Sequence, residues 1–482
     1  MEHETVRKKT LWVLWILVCG WMPLATARAE SIQTLDLKTF LEATLQYHLR
    51  QQEHHALADA ERISLQDGQR YFWPDITART SYDEVTSETL TSPSSRTVRS
   101  GVTTGVDTTW TSWLGTDLTL GLEHQYGRQL GQLNQGIPED ELQAHNLSVE
   151  ISQPLLKHNS PFYNRLPLLR AQKQWQQYHI NGELGRLTLL KNAMLDYLTV
   201  QESYDRLQIQ QNRLEHIRSF ADSARVLAEE GRSLSIDRDL AQLDVLRQEQ
   251  TVASARQAVQ QNQRALTLTW VRNSNIQIMP MTSTDVLINQ LLPIRDVRPV
   301  ATHHPEYRQQ QLNLESAQLE ERARQRDRWP ELSAYYRYEK NYREALPDEE
   351  SQSWGLRFSY DLFDLPTREH QARLRAEATI ARWNVEDQLK RLQWETDRLY
   401  QTSGTHLAEL ELHNQAMDLS QRALDHELSR YQEGLASYGH VRDRQQDLLD
   451  RELSTLDTRV ELARQLIELA YHHQWDWLNR LP

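Results

Sequence analysis

With 54 Lys and Arg against 67 Asp and Glu in 482 residues, the chain has a formal charge of −13 and a single cysteine. So acidic a surface argues against nucleic acid as a partner, and one cysteine excludes a disulfide framework or a thiolate metal site. Glycine and proline are scarce beside Gln, Leu, Arg and Glu, a balance that favours long helices.

The N-terminus reads as a secretory signal peptide over 1–29. Arg7, Lys8 and Lys9 precede an apolar run at 11–18, and Ala27-Arg28-Ala29 supplies the small-x-small pattern cleaved by signal peptidase. The apolar run is too short for a spanning helix. Cys19 lies within the leader behind Val18, where a lipoprotein needs a small residue. The mature chain then begins near Glu30 with about 450 residues. Loss of Arg7, Lys8, Lys9 and Arg28 against Glu2 and Glu4 takes the formal charge from −13 to −15. Beyond the leader nothing approaches the roughly 20 consecutive apolar residues of a membrane helix.

Two internal repeats organise the mature chain. The first covers 30–275: a helix over 37–72, strands within 75–156, a long helix over 165–230, a tip at 231–235 and a returning helix over 236–272. After a linker at 276–300, the second covers 301–482: a helix over 305–328, strands at 331–342 and 353–362, a long helix over 367–433, a tip at 434–439 and a returning helix over 440–476. Trp73-Pro74-Asp75-Ile76 recurs as Trp329-Pro330-Glu331-Leu332, and Gln153-Pro154-Leu155-Leu156 pairs with Tyr360-Asp361-Leu362-Phe363. Glu230-Gly231-Arg232-Ser233 likewise recurs as Glu433-Gly434-Leu435-Ala436. Each long helix would extend roughly 100 Å at 1.5 Å per residue, and helices of that length need partners along their whole run. Val245, Val252, Val259 and Leu266 recur every seven residues. Leu449, Leu453, Leu456, Val460, Ala463, Ile467 and Ala470 alternate steps of four and three, so both returning helices carry coiled-coil seams.

The strand segments change to a period of two. Ile76, Ala78, Thr80 and Tyr82 alternate with polar neighbours, as do Leu118, Leu120 and Leu122, then Leu147, Val149 and Ile151. The second packet repeats this with Leu332, Ala334, Tyr336 and Tyr338, and with Trp354, Leu356, Phe358 and Tyr360. Such segments suit outer-membrane strands and half-buried soluble sheets alike. Counting separates the two. A sheet in lipid must have no open edge. About four to six segments are available per chain, whereas the smallest single-chain barrels use eight strands. Strands that enter the membrane must therefore come from several chains.

The sequence resembles the TolC-type outer membrane efflux family over essentially the whole mature chain. The residues that carry this are Leu35-Asp36-Leu37-Lys38-Thr39-Phe40-Leu41-Glu42-Ala43-Thr44, His304-Pro305-Glu306-Tyr307, Gln153-Pro154-Leu155-Leu156, Asp361-Leu362-Phe363-Asp364 and Tyr431-Gln432-Glu433-Gly434-Leu435-Ala436-Ser437. Tyr47-His48 stands where the family commonly has Asn-Pro. The resemblance implies a mixed α and β fold: a transmembrane β-barrel shared by a homotrimer, with four strands per subunit, continued by a long α-helical coiled-coil barrel through the periplasm. It further implies the exit duct of a tripartite efflux or type I secretion system, in contact with outer-membrane lipid, a periplasmic adaptor and an inner-membrane pump. One departure is a longer segment between Trp73 and Pro154, with an extra hairpin over 103–126 that either lengthens the extracellular face or adds barrel strands.

The same resemblance assigns roles at the tips. Gly231, Ser233, Leu234, Gly434, Leu435, Ala436 and Ser437 become adaptor-docking positions, and Asp237 and Tyr431 a hydrogen-bonded gating latch. Ala436 replaces the arginine that the family sets beside this latch. His440 and Asp443 fall where two acidic rings narrow the closed entrance. Aspartate there attracts cations, while histidine adds positive charge only below about pH 6.5. The adjacent pairs His54-His55, His303-His304 and His472-His473 cannot share a helix face, and no HExxH, P-loop, GxGxxG or GxSxG accompanies them. Neither a metal, a cofactor nor catalysis is expected. The rival reading is a periplasmic coiled-coil scaffold or adaptor, which leaves the alternating aromatic segments without a role; an exported hydrolase is more distant still.

Overall fold

The computed structural model describes residues 33–47, 65–89, 95–130, 140–271, 276–278, 283–343, 346–362 and 365–474, with positions 59, 62, 63 and 280 besides. The leader at 1–29 and most of 48–64, within the expected first helix, lie outside the described residues. The chain divides into a helical unit (1–49, 187–298 and 398–482) and a sheet unit (50–186 and 299–397). Among the described residues no helix is long and apolar enough to cross a membrane.

The helical unit opens with strand β1 (Gln33–Leu35) and helix α1 (Leu37–Tyr47). Asp36 starts α1 by accepting the Thr39 N–H at 2.9 Å, and its bonds to Thr39 hold its carboxyl below the usual range. Four long helices supply most of the rest: the C-terminal part of α2 (Leu166–Glu229), α3 (Ser235–Trp270), the end of α6 (Leu365–Gln432) and α7 (Tyr438–His472). Val245, Val252, Val259 and Leu266 are buried, and so are Leu449, Leu456, Val460, Ala463, Ile467 and Ala470; Leu453 is half-buried. The seven-residue spacing therefore lies on the packed side of each helix.

Within the segment 276–300, expected to be a linker, residues 276–278 and 284–294 pack into this core. Strand β6 (Ile276–Ile278) pairs in parallel with β1, from Gln33↔Ile276 to Leu35↔Ile278. Helix α4 (Thr284–Leu291) is capped where the Thr284 N–H and hydroxyl both donate to Asp205, and it buries Leu287 and Leu291 completely. The linker reading fails because each piece is too short to show a period. Around these pieces pack Phe40, Leu41, Met194, Tyr197 and Leu462, with the Phe40 and Tyr197 rings stacked at 6.2 Å. Phe40 is 0% exposed. Phe40→Ala is expected to cost about 3–5 kcal/mol, read as a lower midpoint for chemical unfolding of the purified mature chain.

In the sheet unit, β2 (Asp75–Thr89), β3 (Ser95–Thr111), β4 (Asp117–Leu130), β5 (Asp140–Pro154), β7 (Glu331–Arg343) and β8 (Leu346–Ser359) form one antiparallel meander in the order β2-β3-β4-β5-β7-β8. The sheet thus has six strands among the described residues, where the resemblance implies four barrel strands per chain. The extra hairpin is hydrogen-bonded to β2 on one side and β5 on the other. β8 also starts seven residues before the expected 353 and ends at Ser359, because its first half is polar and shows no alternation. Between β5 and β7, α5 (Pro305–Ala323) lies along residues 170–183 of α2. His304 caps it by accepting the Glu306 N–H at 3.3 Å. Polar ties run down the pair: Arg308–Glu183 at 2.9 Å, Gln309–Asn181 at 2.7 Å, Lys173–Glu315 at 2.6 Å, and Arg170 to Glu320. The helix expected to reach 328 ends at Ala323, followed by a single 3-10 turn.

Candidate functional site

Two places in the fold carry exposed or unusually built chemistry, the helix-reversal tips of the helical unit and the two faces of the sheet. At the tips, both reversals are closed by the same backbone device. Gly231 (φ +71°) and Gly434 (φ +77°) take the left-handed conformation that lets a helix end without a Cβ clash. The Arg232 N–H then bonds Leu227 O and the Leu435 N–H bonds Arg430 O, both at 2.8 Å, so the last carbonyls of α2 and α6 are satisfied. Ser235 starts α3, and Tyr438 starts α7 two residues before the expected 440, since Ser437 already has the extended backbone of an N-cap.

Beneath the tips Phe220 packs against two tyrosines, 5.0 Å from the Tyr431 ring and stacked at 5.4 Å on Tyr438. Ala224, Leu227, Ala241, Leu424 and Val441 complete this small core. The expected Asp237–Tyr431 bond is relayed through a third side chain. Ser233 Oγ donates to Asp237 Oδ2 at 2.9 Å and lies 3.3 Å from Tyr431 OH. Its one proton goes to the carboxylate, so Tyr431 must donate to Ser233. Burial pushes the Tyr431 phenol above its usual range.

Sequence reasoning missed a second tie. Tyr438 OH donates to Asp244 Oδ2, and burial, followed by this bond, raises the Tyr438 phenol far above the ordinary tyrosine value. Asp244 stands one heptad after Asp237, a spacing that puts both on one stripe of α3 and was the available signal. A third tie, Arg232 Nη2 to Gln432 O at 2.9 Å, joins the two reversals where Ala436 leaves the expected arginine missing. Outside these bonds Leu234 and Leu435 present apolar side chains 69% and 65% exposed. His440 and Asp443 sit in the first turns of α7, their side chains largely exposed. The first is 3.6 Å from Glu427 and the second 3.8 Å from Arg442.

The sheet has two unlike faces. On one, Ile76 and Tyr82 (β2), Val102, Val106 and Trp110 (β3), Leu120, Leu122 and Tyr126 (β4), Ile151 (β5), Tyr336 and Tyr342 (β7), and Trp354, Leu356 and Phe358 (β8) are all exposed, Trp354 to 82%. The registers Trp110↔Leu118, Leu118↔Ile151, Ile151↔Tyr336 and Tyr336↔Trp354 run straight across this face. On the other, Arg79 reaches Asp107 at 3.2 Å and Glu123 at 3.1 Å, and Arg337 reaches Glu150. From the Leu118 row to the Tyr126 row the strand advances about 27 Å, or about 20 Å in height at a tilt near 40°. Aromatic side chains stand in both rows, Trp110 and Trp354 in the lower and Tyr82 and Tyr126 in the upper, and on β8 Leu356 and Phe358 continue the apolar side beyond the lower row.

Among the described residues no group of three or more His, Cys, Asp or Glu side chains could hold a metal; His54-His55 lies outside them. Neither a family model nor a curated protein matches the sequence. Solved structures do match along nearly the full length. CusC, described for the changes accompanying folding and transmembrane channel formation, aligns at 12% identity and TM-score 0.66, over 90% of this chain and 91% of its own. The outer membrane protein VceC of Vibrio cholerae aligns at 13% and 0.65, over 91% and 95%. The open state of the MtrE outer membrane channel of Neisseria gonorrhoeae aligns at 12% and 0.63, over 92% and 89%. With the paired helix reversals and the sheet meander already in place, this agreement shows that the chain has the fold of the TolC-type outer-membrane channels.

Proposed function

We propose that three copies of this chain close one β-barrel in the outer membrane and extend it as a helical duct into the periplasm. The duct is a passive conduit for efflux or type I secretion, opened at the tips by a periplasmic adaptor and driven by an inner-membrane pump. The observation that carries this reading is the sheet: one face on which exposed apolar side chains predominate around His124, His145 and Lys340, one ion-paired face, and two edges, β2 and β8, without a neighbouring strand in the chain. In lipid each unpaired backbone group costs several kcal/mol, so those edges require neighbours, and neighbouring copies provide them. The apolar rows, about 20 Å in height, approach the roughly 25 Å apolar belt of outer-membrane barrels. A periplasmic scaffold or adaptor would leave this much aromatic surface in water.

In this reading Gly231, Ser233, Leu234, Gly434, Leu435, Ala436 and Ser437 form the docking rim, with Leu234 and Leu435 as its apolar contacts. Asp237 and Tyr431 hold it closed, and His440 and Asp443 line the entrance, where three copies of each converge. The mature protein is expected in outer-membrane fractions as a heat-modifiable trimer that conducts ions in planar bilayers. Asp443→Ala should lower its preference for cations. A soluble periplasmic monomer without conductance overturns the duct. Normal conductance with a cation preference indifferent to Asp443→Ala overturns only the entrance assignment.

A further inference from the structure

The meander has six strands, and its middle hairpin is paired into the sheet as fully as the strands at its edges. β3 is paired with β2 from Asp75↔Thr109 to Thr89↔Ser95, and β4 with β5 from Asp117↔Ser152 to Gln129↔Asp140. A hairpin held along its whole length on both sides cannot fold back over an extracellular mouth without breaking two ladders.

Both faces of the hairpin continue those of the sheet. Val102, Val106, Trp110, Leu120, Leu122 and Tyr126 extend the apolar side, and Arg79 spans three strands on the polar side through Asp107 and Glu123. The foot of the hairpin is also fastened. Its turn needs Gly115 at φ +81°, where a Cβ would lie 2.6 Å from Asn164 Nδ2 and 2.8 Å from His158 O. The buried Asn164 side chain donates to His158 O at 3.1 Å and Trp113 O at 3.4 Å, and Thr116 bonds Gln153 on β5.

Resting on the shared-barrel reading above, we infer that the hairpin is a structural part of the pore wall, so that three copies of the six-stranded sheet close a barrel of eighteen strands. Parity permits the closure. With six alternating strands, β2 and β8 run in opposite directions, so β8 of one copy lies antiparallel to β2 of the next, and their lengths of 14 and 15 residues match. Barrel diameter grows about linearly with strand number, so the lumen is about 1.5-fold wider than a twelve-stranded one, with about twice the cross-section. Its lining includes Thr77, Arg79, Asp107, Glu123, Glu150 and Arg337, a hydrated surface with both signs of charge. The membrane section therefore sets no narrow limit on cargo, and bulky hydrated solutes leave it without shedding water; size selection falls to the helical tips.

Single-particle electron microscopy of the detergent-solubilised mature protein tests this directly. Eighteen strands around the pore are expected. A closed trimeric barrel of twelve strands, with 95–130 outside the wall, overturns the inference and leaves the duct standing. A particle without a shared barrel overturns both. In planar bilayers, polyethylene glycols added on the extracellular side should fill the intact barrel up to a radius about 1.5-fold larger than in a form lacking 95–130. Equal cut-offs would count against the hairpin as wall, and the strand count on the intact protein stands even where the deleted form fails to assemble.

Discussion

Tyr431→Phe combined with Tyr438→Phe is expected to open the tips while leaving the fold intact. Each substitution deletes one phenol hydroxyl and keeps the ring, so the packing of Phe220 against both tyrosine rings survives. What is lost is the donor to Ser233 in one tie and the donor to Asp244 in the other. A hydrogen bond to a charged group contributes about 1.5–3 kcal/mol, so loss of the Asp244 tie alone shifts the closed-to-open balance about ten- to a hundredfold per chain. The carboxylate left without its phenol gains by moving toward water, which acts in the same direction. The tie is also insensitive to mild alkali. Its neutral phenol is favoured in the closed tip, so the contribution is complete below the ordinary tyrosine value of about 10 and declines only as pH rises beyond it. Bilayer recordings of the double variant should show frequent large openings where the parent stays mostly closed, with unchanged heat-modifiability. Identical open probabilities would mean that these bonds do not hold the tip.

Much of this was legible in the sequence, for reasons particular to each element. Leu118, Leu120 and Leu122 alternate because successive residues of β4 point to opposite faces of the sheet and one face carries the apolar side chains, and Gly231 and Gly434 mark the reversals because only glycine takes φ near +75° cheaply. Other features left no such mark. β6 and α4 are three and eight residues long, too short for a period, and they owe their place to Asp205 and to partners distant in sequence. The outer half of β8 is polar on both faces, so nothing alternates there, and in β3 Ser100 interrupts the alternation between Val98 and Val102. Asp237 and Tyr431 were named as direct partners, yet the intervening Ser233 is a matter of side-chain geometry that spacing does not encode. Asp244 had a signal in its heptad relation to Asp237, but Tyr438 lay inside the stretch read as a turn.

The face of the sheet taken to meet lipid can be tested at one residue, because lipid and water give opposite signs. Leu122 is 59% exposed on β4, midway between the Leu118 and Tyr126 rows, and pairs with Val106 and Leu147 on either side. On a soluble sheet Leu122→Arg would be neutral or favourable, since it removes an apolar side chain from water. At the middle of a membrane the same change costs about 2–4 kcal/mol, falling to about 0–1 near the interfaces, and every subunit of a trimer incurs it. Tyr82→Arg, at the upper aromatic rim, should therefore assemble nearly as well as the parent. Thr119→Arg, on the opposite face beside Glu150, adds its charge to a hydrated lining and should also be tolerated. The expected order in outer-membrane trimer yield is parent, then Thr119→Arg and Tyr82→Arg, with Leu122→Arg far below. Equal yields for Leu122→Arg and Thr119→Arg would place both faces in the same solvent, and no barrel wall can have that property.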